Sequence, residues 1–200
     1  MTEREKMIAG KWYDISDPWL VAQRDLARDK AEEYNRTSEK EVAKRRSILE
    51  SILGSIGEDA DIYPTVKFDY GCNIYIGDRV YINFNAIFLD CAEIRIGNDV
   101  FIGPNASFLT PIHPLLPSDR NQRVKEDGTR YMIEAAAPIT IGNDVWVGGN
   151  VSFLPGVTVG DGSVIGAGSV VTKSIPPGVI AVGNPCRVVR ELTEADAIEI

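Results

Sequence analysis

The sequence predicts a mainly β fold: a parallel β-helix of hexapeptide repeats behind a short N-terminal helical segment. Three observations carry this. The first is a six-residue beat of large apolar residues. It runs Ile56, Ile62, Phe68; Ile76, Ile82, Phe88; Ile96, Ile102, Phe108; then Ile141, Val147, Phe153, Val159, Ile165 and Val171. The second is a small or β-branched residue four places after nearly every beat, as at Ala60, Val66, Cys72, Val80, Ala86, Ala92, Val100, Ala106, Val145, Val151, Val157, Ser163 and Ser169. The third is glycine directly after the beat at Gly57, Gly77, Gly97, Gly103, Gly142, Gly148, Gly160 and Gly166. A fixed short period kept from residue 56 to residue 171 is the signature of a repeat architecture.

Neither common period fits this pattern. A helix needs apolar residues at i, i+3, i+4 and i+7, and a half-buried strand needs strict alternation. A six-residue beat with a companion at i+4 fits a coil of three short faces, with beat and companion both pointing inward. Turns of the coil stack about 4.8 Å apart. Two-residue slips precede Ile76, Ile96 and Ile141, and each marks an outward bulge at one corner per turn. Five turns follow: 56–75, 76–95, 96–140, 141–158 and 159–176. An antiparallel sandwich is the alternative, but its strands recur with looser spacing.

The ends lack the beat. Residues 1–55 read as a helical segment. Asp17-Pro18 is a helix start, an acid cap followed by proline at the first position, with Leu20, Ala27, Ala31 and Tyr34 on the buried face and Asn35 at the end. Ser38 and Glu41 have capping-box spacing for a second helix that buries Val42, Leu49, Ile52 and Leu53 and stops near Gly54. Such short helices are marginal alone, so they pack on the first coil or reach a neighbouring subunit. The β-helix is expected over 56–176, with an inserted loop at 110–138. Residues 177–200 form a C-terminal cap in which Val188, Val189 and Leu192 cover the open end of the coil.

Composition excludes several classes. The net charge of −8 argues against general affinity for nucleic acid, which needs a basic surface. No apolar run approaches the roughly 18 residues of a membrane span, and the N-terminus has no apolar signal core. The three cysteines, Cys72, Cys91 and Cys186, show neither metal spacing nor even pairing,. Cys72 falls on an inward companion position, and a reducing cytoplasm is the expected compartment.

The loop between Leu109 and Ile139 is where the beat fails, and long loops in compact domains carry function or are disordered. It opens with Thr110-Pro-Ile-His-Pro114, and His113 is the one histidine of the chain. A lone histidine is ordinarily a surface residue of no consequence. Here it heads the interruption of a regular repeat and sits beside proline, which limits backbone freedom. A single histidine also excludes a zinc site built on three histidines.

The chain resembles the sugar O-acetyltransferases of the hexapeptide-repeat superfamily, the maltose and galactoside acetyltransferase group. The resemblance rests on Met7–Tyr13 with Asp17-Pro18, Asp69–Asn73, Asn83-Phe-Asn85, Leu89-Asp90, His113-Pro114, Ile141–Gly148, Pro155–Gly160, Ile165–Gly168, Val171–Lys173 and Gly183–Arg187. It implies a left-handed β-helix, a homotrimer with active sites between subunits, and direct attack of a sugar hydroxyl on acetyl-CoA, with no metal required. His113 is then the general base, and neutral imidazole suits that task near neutral pH.

By position, the resemblance assigns Asp69, Asn83, Asp90, Glu134 and Asp14 to the acceptor pocket. Asn83 is either kept for its side chain or is a corner asparagine at positive φ. Asp17 is a further pocket candidate with a competing role as helix cap. Glu134 is expected to hold an acceptor hydroxyl or to orient His113. On the cofactor side, Trp146, Gly149, Ala167, Thr172, Lys173, Arg187 and Arg190 match the CoA channel, with Lys173 and Arg187 meeting phosphate. Some members carry serine where this chain has Gly149, so a backbone N–H is expected to serve the thioester oxygen here. The competing readings are transfer to a non-sugar acceptor, a xenobiotic or amino-acid hydroxyl, and a non-catalytic β-helix scaffold.

Overall fold

A computed structural model describes residues 1–198. From Ser55 onward the chain winds as a parallel β-solenoid with three faces, met in the same order on every turn. The first face stacks Ser55–Ile56, Ile74–Ile76, Ile94–Ile96, Ile139–Ile141 and Thr158–Val159. The second stacks Asp61–Ile62, Tyr81–Ile82, Phe101–Ile102, Trp146–Val147, Val164–Ile165 and Val179–Val182. The third stacks Val66–Phe68, Ala86–Leu89, Ser107–Leu109, Ser152–Phe153 and Val170–Val171. The stacking is in register, Ile62 opposite Ile82 and Ile82 opposite Ile102, so each beat residue lies on the one before it.

All beat residues are buried except Ile56, which is partly buried at the open end and packs on the same core. Phe68, Phe88, Phe108 and Phe153 form a ladder inside the third face, with ring centroids 5.7, 4.8 and 4.9 Å apart. The companion positions are inward too, except the two that meet a slip. Ala92 packs beside the coil in a separate cluster with Tyr13 and Cys91. Cys72 is exposed. The two-residue slip after Phe68 carries it out of the inward register, and Ile74 fills the inward site instead.

The slips all fall at the corner between third and first faces. There the wider corner of residues 69–73 needs its backbone groups satisfied, and Asp90 supplies this. Its carboxylate, fully buried, accepts hydrogen bonds from the N–H groups of Asp69, Tyr70 and Asn73 at 3.1, 2.8 and 3.3 Å. Burial pushes Asp90 up to about 6 against the pull of those backbone donors. Gly71 turns this corner at φ +72°, and a Cβ there would meet Ile52 at 2.1 Å.

The other corners use a different device. Gly97 leaves no room for a side chain, since a Cβ would lie 2.7 Å from Asn143 Oδ1 and from the carbonyl carbon of Gly142. That close approach lets each turn hydrogen-bond the next: Asn98 Oδ1 accepts from Asp78 N, Asn143 Oδ1 from Asn98 N, and Asp161 Oδ1 from Asn143 N. Asn85, Asn105 and Asn150 form an amide ladder at the corner between second and third faces, all at positive φ.

The N-terminal segment contains three helices: α1 (Glu3–Ile8), α2 (Pro18–Asn35) and α3 (Val42–Ile52). The first was not anticipated. Asp17 caps α2, accepting from Trp19 N and Leu20 N, and Leu20, Ala27, Ala31 and Tyr34 are buried as expected. The capping box of α3 is half made. Glu41 accepts from Ser38 N, but the Ser38 hydroxyl accepts from Lys40 N and the helix begins only at Val42. Val42 is 70% exposed rather than buried, because this later start turns Arg45, Ile48, Leu49 and Ile52 toward the core.

Helices α2 and α3 close the open edge of the coil, which would otherwise present unpaired carbonyls, while α1 packs on strands Tyr13–Asp14 and Ile133–Ala136. Arg46 donates to the carbonyls of Ile56 and Gly57, Arg45 to that of Ile62, and Asn35 Nδ2 to that of Val66. One side chain or more thus reaches each face. Buried Arg45 is balanced by Asp61 at 3.0 Å. The far end is closed differently from expectation. Val188 and Val189 are 45% and 62% exposed. Strand Val179–Val182 continues the second face instead, and Arg187–Glu191 folds back on it antiparallel. The inward Ser163 and Ser169 hydroxyls bond the departing chain, to Pro176 O and from Gly183 N.

Asp90→Ala strands several buried N–H groups and should cost about 2–5 kcal/mol. A fall in Tm of roughly 5–15 °C is expected for a chain of this size. An unchanged melting curve would remove Asp90 from the architecture.

Candidate active site

The inserted loop is held by a small sheet of its own. Pro111–Ile112, where the loop departs, pairs antiparallel with Ile133–Ala136, where it returns. The returning strand pairs on its other edge with Tyr13–Asp14 of the N-terminal segment. Ile112 lies opposite Ala135 and Tyr13 opposite Glu134. This puts His113, one residue past Ile112, beside Glu134. Between the two strands lie a short helix, Pro117–Arg120, and a hairpin of Arg123–Val124 with Arg130–Tyr131.

His113 is 56% exposed by side chain, and its Nε2 faces Glu134 Oε2 at 3.6 Å. Glu134 is buried, and the Tyr13 hydroxyl donates to its Oε1. Tyr13 is 1% exposed, and burial, with Cys91 and Glu134 nearby, raises its phenol far above the ordinary range. The proton therefore stays on Tyr13 and the phenol is a donor. Cys91 is buried beside both, its thiol raised chiefly by burial, and its Sγ lies 3.9 Å from Asp69 Oδ2.

Asp69 and Asp14 flank this group. Asp69 Oδ1 accepts from Arg28 at 2.8 Å. Asp14 accepts from Lys125 of the loop at 2.7 Å and from Ser16 N at 2.9 Å. Burial acts to raise the Asp14 carboxyl, but the Lys125 and Ser16 hydrogen bonds prevail and hold it below its usual range. Asp14 thus ties the N-terminal strand to the loop. Asp17 is taken up as the cap of α2. Asp90 has no exposed surface, so it acts on this corner through the backbone it holds.

Asn83 lies elsewhere. It sits at the corner between second and third faces, half-buried, its Oδ1 accepting from Phe84 N. The residue at positive φ there is Asn85, with φ 64°; Asn83 is not needed for the turn. Its N–H donates to Ile102 O, that of Gly103 to Val147 O, and that of Gly148 to Ile165 O, so Asn83 stands between Tyr63 and Gly103 in a row leading to Gly148 and Gly166. Gly149 and exposed Ala167 border this row. A Cβ on Gly148 would strike Ala167 N at 2.6 Å, whereas one on Gly149 would meet only Pro104 at 3.4 Å. Packing thus imposes glycine at 148 and leaves 149 open.

Within one chain the predicted residues therefore fall into two groups. His113, Glu134 and Asp69 gather at the corner between third and first faces, while Asp14, next to Tyr13 on its strand, projects to the other side of the small sheet and holds Lys125,. Asn83, Gly149 and Ala167 line the corner between second and third. The four-residue strand Ala86–Leu89 separates them, about 13 Å at 3.3 Å per residue. Thr172 and Lys173, both exposed, follow Val171 on the His113 side of the third face. Trp146 is 59% exposed on the second face, and Arg187 and Arg190 are exposed on the final strand. Arg190 is held by Asp196 in a two-pronged pair at 2.6 and 2.7 Å.

Sequence reasoning missed Tyr13, Cys91, Arg28 and Lys125. Tyr13 and Glu134 are 121 residues apart, and their strands are too short to show a period. The one available signal was the position of Tyr13 next to Asp14. No helix among the described residues is long and apolar enough to cross a membrane.

Comparison with known proteins agrees with this architecture. A family model described as the maltose acetyltransferase hexapeptide capping motif matches residues 6–57. A second, bacterial transferase hexapeptide (six repeats), matches residues 138–173. The chain is 42% identical over 196 residues to galactoside O-acetyltransferase of Escherichia coli (strain K12), covering 98% of this chain and 91% of that protein. Its structure is similar to that of a maltose O-acetyltransferase from Clostridium difficile 630, with a TM-score of 0.90 at 43% identity over 97% of this chain and 99% of that one. It is also similar to a galactoside acetyltransferase in complex with coenzyme A, with a TM-score of 0.89 at 41% identity over 98% and 94% of the two chains. The capping helices, the six-residue stack and the full-length identity together show that this chain belongs to the hexapeptide-repeat acetyltransferases of the maltose and galactoside acetyltransferase type.

Proposed function

We propose that the protein transfers an acetyl group from acetyl-CoA to a hydroxyl of a sugar or a similar small molecule, in a ternary complex, with His113 as general base. The observation that carries this reading is the juxtaposition of exposed His113 with buried Glu134 at the head of the loop. The hydroxyl oxygen attacks the thioester carbonyl carbon as His113 takes its proton. The Glu134 carboxylate favours the imidazolium as it forms. The C–S bond then breaks, and the imidazolium returns the proton to the CoA sulfur. Asp69 offers carboxylate oxygens to the remaining hydroxyls of a polyol, the chemistry a sugar requires. Lys173 and Arg187 are exposed cations available to phosphate.

The separation of the two groups supports a homotrimer with shared sites. A cleft between two chains would bring the Asn83 corner of one against the His113 corner of the next. The second face also presents an outward aromatic stripe suited to burial: Tyr81 and Phe101 at 6.4 Å centroid spacing with Trp146 in register beyond, and Tyr63 of the adjoining corner 5.3 Å from Tyr81. Phe101 and Trp146 are 57% and 59% exposed, large apolar surfaces that a lone chain leaves in water.

His113→Ala should lower turnover at least ~10²-fold while acetyl-CoA still binds by calorimetry. Activity near wild type, across a panel of sugars and small alcohols, would sink the general-base role. Light scattering should give a trimer at micromolar concentration. Mixing His113→Ala and Asn83→Ala chains by co-refolding should restore about a quarter of wild-type sites, since a site between neighbours draws one residue from each. No restoration would place both residues in one chain's site. Arg187→Ala should weaken CoA binding through lost phosphate contacts, and Asn83→Ala should change acceptor kinetics alone. Equal loss of CoA affinity in both variants would contradict the division.

A further inference from the structure

We propose that Tyr13 is a positioning residue of the transfer reaction: its hydroxyl, donated to Glu134, holds that carboxylate aimed at His113. The inference rests on the general-base reading of His113. Its ground is geometric. Tyr13 and Glu134 are directly opposite in an antiparallel pair, so their side chains project on the same side of the small sheet,. The Tyr13 ring is buried in a satellite cluster with Met7, Leu20, Tyr70, Cys91, Ala92 and Ala136. A buried phenol needs an acceptor and a buried carboxylate needs a donor; each is the other's partner. With Oε1 so occupied, Oε2 is the oxygen left facing His113 Nε2 at 3.6 Å.

The arrangement gives the N-terminal segment a second task. Helices α2 and α3 close the coil, while Tyr13 and Asp14, within the link between α1 and α2, reach the inserted loop. Tyr13 fixes the carboxylate and Asp14 fixes the loop through Lys125. The titratable and charged groups around the pair are His113, Cys91, Tyr70 with Arg24, and Asp69 with Arg28. Both arginines are bonded to those partners and not to Glu134, whose Oε1 takes the Tyr13 hydroxyl. The high proton affinity of the phenol keeps it a donor.

The test is Tyr13→Phe, which keeps the ring and the apolar cluster and removes the hydroxyl alone. Steady-state kinetics across the pH range should show kcat reduced about tenfold from a misplaced base, with KM for acetyl-CoA unchanged. In a Glu134→Gln background, adding Tyr13→Phe should leave kcat unchanged. Wild-type kcat in Tyr13→Phe, beside an inactive His113→Ala, would overturn the role of Tyr13 alone. An equal loss in the Glu134→Gln background would overturn it too, by showing that the hydroxyl acts through packing. Full activity of His113→Ala would overturn both the base and its support.

Discussion

In-register stacking of one coil turn on the next is the constraint on which everything else in this molecule depends. Because Ile62, Ile82, Ile102, Val147 and Ile165 lie one above another, a residue's place in the six-residue repeat decides its corner, and its turn number decides its height. A functional side chain needs no dedicated scaffold here. It needs only the right offset from the beat. Asn83, one place after Ile82, takes the corner position that Gly103, Gly148 and Gly166 occupy on later turns. The stacking also dictates where function is affordable. An inward position is closed to all but apolar or small residues, as the fully buried Ser163 and Ser169 illustrate at the very exit.

That constraint makes the corner between third and first faces the natural place for an insertion. The other two corners are drawn tight by glycine close approach and by Asn and Asp ladders, which tolerate no extra residue. The slipped corner already departs from the repeat and relies on local hydrogen bonds, from Asp90 in one turn and Thr110 in the next. Thr110 accepts from Ala92 N and donates to Leu89 O, so the last residue before the loop is itself a staple. The loop can thus leave and return without disturbing Phe108 or Ile139, both fully buried. His113 is held close to the rigid coil, which suits a base that must sit within hydrogen-bond reach of its substrate.

The part of this architecture legible in the sequence was the part that repeats. The beat identified the faces, their order and nearly all of the core, because each inward position is sampled many times. What the sequence hid was set by single, long-range events. Cys72 left the core because two added residues shifted its phase. Val42 surfaced because Glu41, not Ser38, became the cap of α3. The three-stranded sheet around the loop joins strands of two to four residues drawn from distant parts of the chain, and strands this short carry no alternation to read. His113 and Glu134 were visible as chemistry, but the contact between them was not. Tyr13, which completes the group, stood only at the end of the Met7–Tyr13 stretch and was given no site role.

The separation of Asn83 from His113 links these points. A coil of this width cannot bring two corners of one turn together, since the core that stabilises the turn keeps them apart. On the proposed reading, a site that uses both corners draws on a second copy, and the coil's regularity would make that copy easy to match, because a flat face stacked at constant spacing meets its neighbour with the same register along its length. The aromatic stripe on the second face provides the apolar surface for such a meeting, while the ladders at the corners keep the backbone satisfied up to its edge. On this view the N-terminal strand has a distinct place. It fixes the Glu134 carboxylate from within the same chain, through the Tyr13 hydroxyl, so the contact between Glu134 and His113 needs no second copy.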